Sequence, residues 1–324
     1  NISCRGIFTK GNKLYVNTER HGFHILDMDR YSKDKEEATK VFNIQIVPQM
    51  RSAYALVNSE DETLWIGQYG LQQFDRQSET LEKAFSNVPN KALEVVWTIY
   101  EDKESTLWLG GSIGIEYYHP KDKRLQVFKN YNEFQLLAES AITHISEDRN
   151  GLIWVCSNSG LYTLDINRGI TARYWSGGTG EFFLPHDKYY HFHHDAKGIY
   201  WLATAGGGLI RWDKTNQQTK QFTKENGLSN NILYAVYEDK YEHLWISSDY
   251  GIIQFDKNTF QSQAYLAEDG ITHHEFNRIS HFQAADGRIF FGGLNGITAF
   301  DPDDFYQFDS LYDAFILAHT EVII

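Results

Sequence analysis

Residues 186–194 read HDKYYHFHH, and alternation along a strand puts the rings of His191 and His193 on one face with His194 opposite. Two histidines at i and i+2 can begin a metal site, yet no third ligand is specified, and a hydrogen-bonding place for His191 on a channel wall competes with that reading. A second concentration of polar groups, THHEFNR at 272–278, packs His273, His274, Glu275, Asn277 and Arg278 into a short segment. Amide, guanidinium and carboxylate groups held on loops of a rigid scaffold serve carbohydrate hydroxyls well, although Asn277 and Arg278 serve equally as turn caps.

Covalent chemistry is poorly represented. The Glu-Asp pairs at 101–102, 147–148 and 238–239 are sequence neighbours, so their side chains leave opposite faces of a strand instead of converging on one bond. A glycosidase needs two carboxylates facing each other across roughly 5–9.5 Å. The glycine-rich TAGGGL at 204–209 follows a strand but opens no helix, which weakens a phosphate-cradle reading. No nucleophile elbow or zinc-protease motif appears. Cofactors are therefore not expected.

The elements that would position these residues come from a repeat. Seven similar stretches recur: KLYVNTERHGFHILD, TLWIGQYGLQQFD, TLWLGGSIGIEYYH, LIWVCSNSGLYTLD, YWLATAGGGLIRWD, HLWISSDYGIIQFD and IFFGGLNGITAFD. Their large rings are Tyr15, Trp65, Trp108, Trp154, Trp201, Trp245 and Phe290, at steps of 43 to 50 residues, the spacing of a four-stranded propeller blade. A glycine follows each ring by five to seven positions (Gly22, Gly70, Gly114, Gly160, Gly208, Gly251, Gly296), where a tight turn needs positive φ. An aspartate closes the next strand in six copies, and His119 takes its place in the third. Six residues before four of the tryptophans stand Asp102, Asp148, Asp195 and Asp239; in the second and seventh copies the turn reads two residues shorter, with Asp61 and Asp286 four before the ring.

Each unit thus reads as strand, aspartate turn, aromatic strand, glycine turn, strand and outer strand. The fold class is all-β, a seven-bladed β-propeller of four-stranded antiparallel blades over residues 1–308, with the rings wedged between blades. First strands of such blades line the central channel. On them lie Trp97, outside the regular ring positions, and Thr143, Tyr190 and Tyr234 at the equivalent place, while His144 matches His191 one blade earlier. A group of Trp97, Tyr190 and Tyr234 would suit a sugar, offering flat apolar faces and hydroxyl partners, and inter-blade packing is the alternative. The candidate ligand-binding set is Trp97, His144, Tyr190, His191, Tyr234, His273, His274, Glu275, Asn277 and Arg278.

Bulk properties narrow the partners. A net charge of −13 argues against nucleic acid and against anionic membrane surfaces, both of which favour basic patches. Aromatic residues at 15% and 25 glycines fit an all-β chain of large side chains and tight turns, and the one helical candidate lies around 133–139. No apolar run reaches the roughly 18 residues that span a bilayer. Two cysteines, Cys4 and Cys156, make no disulfide framework. The chain opens at Asn1 without a basic leader, which reads as a trimmed end and carries no address.

The run I-x-x-I-x-E-D-x-x-x-x-L-W-I-x-x-x-x-G-L-x-x-F-D, seen at 142–165 and 233–256, resembles the two-component regulator propeller repeat. The stretch 274–305 is similar to the closing blade of those sensors, and residues 309–324 to a connector or first strand of a following immunoglobulin-like domain. The resemblance implies a second propeller from the periplasmic sensor region of a hybrid histidine kinase or related regulator, not itself an enzyme. It implies recognition of a small carbohydrate, signalling through rearrangement of a homodimer, and membrane attachment only through segments beyond residue 324. A propeller-fold polysaccharide lyase or glycoside hydrolase, and a non-sensing dimerisation or protein-interaction scaffold, are the alternatives.

Overall fold

The computed structural model describes residues 3–19, 21–31, 39–42, 54–59, 61–84, 95–128, 131–132, 134–148 and 150–307. The expected connector over 309–324 lies outside them. Seven antiparallel sheets follow one another along the described chain, six of four strands and the last of three, each built of sequence-consecutive hairpins. The third sheet is typical, with strands Val96–Glu101, Leu107–Gly111, Ile115–His119 and Arg124–Val127. The chain is an all-β, seven-bladed β-propeller. It divides into two compact units, one of residues 10–189 and the other of the remaining described chain.

Burial explains why the repeat shows where it does. The second strands Leu64–Gln68, Leu107–Gly111, Ile153–Ser157, Tyr200–Thr204 and Ile289–Gly293 are buried on both faces, so they read as unbroken apolar runs. Outer strands such as Thr80–Lys83 face solvent and read as polar. Between blades the expected wedges are present: Trp65 meets Tyr118 of the next sheet at 5.7 Å between ring centroids, Trp201 meets Phe255 at 5.8 Å and Trp245 meets Phe300 at 4.8 Å. Toward the inner strands the sheets approach more closely. A Cβ at Gly110 would stand 2.5 Å from Ile142 of the following blade, so that place takes no side chain.

The turns carry the rest of the pattern. All seven glycines that follow the rings have positive φ, between 72° and 141°. In four blades the turn aspartate accepts from two backbone amides with one oxygen and from the indole with the other: Asp148 Oδ1 from Asn150 N and Leu152 N at 2.8 and 3.1 Å, Asp148 Oδ2 from Trp154 Nε1 at 3.1 Å. The six-residue spacing is the spacing of this bond. The expectation of shorter turns in the second and seventh blades is corrected here. Ser59 N donates to Thr63 O, and Ala284 N to Arg288 O, in the pattern that Asp102 N makes with Thr106 O, so the turn keeps its length. Ser59 occupies the aspartate position and accepts from Trp65 Nε1 at 2.9 Å. At Ala284 no acceptor is needed, because Phe290 has no ring N–H. The helical segment near 133–139 is a short 3₁₀ turn, Gln135–Glu139, with Leu137 buried.

After the third strand of the last sheet the described chain enters a short helix, Asp304–Gln307. Phe305 packs on Trp245 at 4.7 Å, and the Tyr306 hydroxyl donates to Asp239 Oδ2 at 3.0 Å. This turn therefore covers the contact between the sixth and seventh blades. No helix among the described residues is long and apolar enough to cross a membrane.

Candidate ligand-binding site

Within the unit that holds residues 190–307, the expected residues separate into an outward group and an inward one. Tyr190 and Tyr234, near the starts of adjacent first strands Tyr189–His194 and Leu233–Glu238, are half-buried with ring centroids 5.7 Å apart at 33°. Tyr234 donates its hydroxyl proton to Asp249 Oδ1 at 2.8 Å. Asp249 opens the glycine turn of the same blade, and Gly251 N at the end of that turn donates to His274 O at 2.7 Å. The ring of His274 stacks on exposed Tyr250 at 5.0 Å, and its Nε2 meets Glu268 Oε2 at 3.1 Å. His273 Nδ1 accepts from Glu275 N at 3.0 Å, which puts the ring proton on Nε2. The Glu275 side chain is exposed.

Electrostatics at this end is negative. Burial raises the Tyr234 hydroxyl well above the usual phenol range, and the bond to Asp249 and the charges of Asp249 and Glu275 raise it further, so it stays protonated. Gly251 is where the close approach is made: its φ is +87°, and a Cβ there would stand 2.5 Å from Tyr265 O.

The inward group is interior. His191 is 4% exposed; its Nδ1 accepts from Val236 N at 3.3 Å, and its ring lies 4.7 Å from His281 and 5.1 Å from Tyr237. The Tyr237 hydroxyl in turn is hydrogen-bonded to His281 Nδ1 at 2.7 Å. His193 leaves the same face as His191 and meets Glu238 Oε2 at 2.7 Å, while His194 stacks on Tyr200 at 4.1 Å from the opposite face, as alternation requires. Asn277 is buried with Oδ1 turned back toward Ile279 N at 3.4 Å, and Arg278 is half-buried on the strand that follows.

Trp97 and His144 belong to the unit of residues 10–189. Both are half-buried on first strands, and desolvation pushes the His144 imidazole down to about 4, so it is neutral at physiological pH. Trp175, also outside the repeat, lies under the Arg173 guanidinium at 4.4 Å. The glycine-rich 204–209 loop uses its amides internally, Gly206 N and Gly208 N both donating to Asn231 O. A cavity of about 360 Å³ between the second and third blades is lined by Trp65, Tyr118, Lys83, Lys121 and Lys123 among others, and by none of the expected site residues.

Sequence reasoning missed Asp249, Tyr250 and Glu268. Asp249 and Tyr250 stand immediately before the repeat glycine, where every copy carries a different pair of residues and the second copy also has a tyrosine, Tyr69, so the repeat gave no signal for them. Glu268 sits on a 3₁₀ turn, Ala267–Asp269, and only folding brings it to His274.

A comparison with described protein families finds no match. Among curated proteins the chain is 23% identical over 256 residues to Histidine kinase P4 of Formosa agariphila, covering 75% of this chain and 18% of that kinase. Among solved structures it is similar to the extracellular domain of the hybrid two component system BT3049 from B. thetaiotaomicron, with 17% identity, a TM-score of 0.56, and coverage of 93% of this chain and 51% of that one. It is also similar to PorZ, a surface component of the type-IX secretion system of Porphyromonas gingivalis, with 15% identity, a TM-score of 0.65, and coverage of 90% and 45%. These likenesses establish the propeller fold. The chain spans about half the length of those structures and under a fifth of the kinase.

Proposed function

We propose that this chain is a ligand-sensing propeller from the extracytoplasmic region of a bacterial signalling receptor, and that it recognises an oligosaccharide. The observation that carries the reading is the Tyr190–Tyr234 pair with Asp249 beneath it and Tyr250, His273 and His274 alongside. Two tilted rings offer apolar faces to a pyranose, and the hydroxyl, imidazole and carboxylate groups around them suit its hydroxyls. Likeness to an extracellular two component domain and to a histidine kinase supports the receptor part. Signal transfer would follow from unequal affinity of the ligand for two arrangements of a homodimeric receptor. The chain itself has no catalytic role in this reading, and membrane attachment belongs to other parts of the receptor.

Isothermal titration against neutral and acidic plant and marine oligosaccharides tests it, on this chain and on the full sensor region. Binding that falls at least tenfold in Tyr234→Ala is the expected result. Silence of both proteins across the panel would leave a structural role only, and new reducing ends or unsaturated products would mark an enzyme.

A further inference from the structure

The polar groups at the Tyr190–Tyr234 end are unequally divided between donors and acceptors. Asp249 and Glu275 are acceptors only, and neither is paired with a cation among the described residues. The Tyr234 hydroxyl has spent its proton on Asp249, so toward any further partner its oxygen can only accept. Glu268, a third carboxylate, is on the far side of His274 and holds that ring's Nε2. Against these stand two neutral donors, the Tyr190 hydroxyl and His273 Nε2–H, and one permanent cation on the 272–278 segment, Arg278, which is half-buried on the following strand. A ligand here must supply protons to Asp249, Glu275 and the Tyr234 oxygen. Hydroxyls do so; a carboxylate or sulfate presents only acceptors and adds like charge to two carboxylates. Unpaired like charges facing a ligand discriminate by repulsion, a common source of specificity.

We infer that this site takes uncharged, hydroxyl-rich saccharides and turns away uronate and sulfated ones, with Asp249 and Glu275 as the discriminating residues. The inference rests on the glycan-binding reading above and goes further by fixing the charge class of the ligand.

The test is a pair of titrations on the parent chain and on Asp249→Asn and Glu275→Gln. Probes are neutral cello-, xylo-, manno-, galacto- and laminari-tetraoses, then tetragalacturonate and a sulfated galactotetraose, each titrated directly and offered as competitors of whichever neutral probe binds best. Competition confines the readout to one site. Expected is a neutral ligand that the anionic competitors displace at least tenfold less well than the unlabelled neutral probe. In Glu275→Gln, whose exposed side chain leaves folding undisturbed, and in Asp249→Asn, that gap narrows at least threefold; it also narrows as salt rises, because screening weakens repulsion. Neutral binding with equally effective anionic competitors overturns the inference while leaving the glycan reading intact. A gap that neither variant nor salt changes overturns the role of the two carboxylates. Binding of anionic probes alone overturns the charge assignment, and absence of all binding overturns both readings.

Discussion

Trp245 donates its indole proton to Asp239 Oδ2 at 2.8 Å, and the other oxygen of that carboxylate accepts from Tyr241 N and His243 N at 2.8 and 3.0 Å. Asp102 with Trp108, Asp148 with Trp154 and Asp195 with Trp201 repeat the arrangement. One side chain thus closes a hairpin turn and fixes the orientation of the blade's large ring. Removing it leaves three donors without their acceptor.

From this follows the first expectation. Asp148→Ala destabilises the chain by about 2–4 kcal/mol, because a carboxylate that bonds two amides and a buried indole is worth more than one neutral bond. Asp148→Asn, which keeps one acceptor oxygen, costs less than Asp148→Ala. Urea denaturation followed by tryptophan fluorescence measures both; equal effects of the two would deny any part to the bonds that the one oxygen kept by asparagine can make.

A second concerns the one buried lysine of the sixth blade. The Lys257 ammonium, 5% exposed, bonds Asp195 Oδ2 at 3.0 Å and also Glu238, which meets His193. Burial alone would lower the lysine and raise both acids, but hydrogen bonds prevail: those to Glu238 and Asp195 hold Lys257 above its usual range, the Trp201 indole, the Ile199 amide and Lys257 hold Asp195 below its own, and His193 and Lys257 do the same for Glu238. Lys257→Met leaves two sequestered carboxylates facing each other and costs about 3–5 kcal/mol. Adding Glu238→Gln to it restores part of the loss, a coupling that a double-mutant cycle in guanidinium reads directly.

How much of this was visible beforehand differs between residues. The rings and turn glycines were legible because each blade solves the same packing problem, so the same residue types return at the same step. Ser59 and Ala284 were not legible: Asp61 and Asp286 lie two residues later and suggest a shorter turn, and only the backbone bonds show that Ser59 is the true counterpart of Asp148. Lys257 looked like any turn lysine; its burial arises from the fifth blade, 62 residues away in sequence at Asp195. Tyr190 and Tyr234 could be matched by repeat position, whereas the tie through Asp249 and Gly251 to His274 joins two connections that no local pattern relates.

A third prediction is a pH dependence. Glu116, on the strand Ile115–His119 opposite Leu109, is fully buried with neither carboxyl oxygen bonded, and burial raises it from 4.5 to about 7. A folded carboxyl that holds its proton longer than the unfolded one contributes stability that is complete below about pH 4.5 and is lost as pH rises to about 7. The loss is about 3 kcal/mol. Glu116→Gln removes this slope and is the more stable protein at pH 8. Melting temperatures of both proteins from pH 5 to 8 check it, and parallel curves would place the proton elsewhere.

The last concerns two glycines of one loop. Gly206 has φ of +109° with nothing within 4 Å of a Cβ built on it, whereas Gly208 has φ of +72° and its Cβ would fall 2.0 Å from Phe222 O. Alanine at position 206 meets only the backbone penalty, about 1–2 kcal/mol. At position 208 the methyl must also push the Leu209–Asp213 strand from Gln218–Phe222, whose register pairs Leu209 with Phe222, and with it the bond from Thr204 Oγ1 to Gly208 O at 2.7 Å. Gly208→Ala is therefore expected to lose at least twice the stability that Gly206→Ala loses. Chemical denaturation of the two variants decides it: equal losses would mean that backbone conformation alone, and not the close approach of the outer strand, reserves position 208 for glycine.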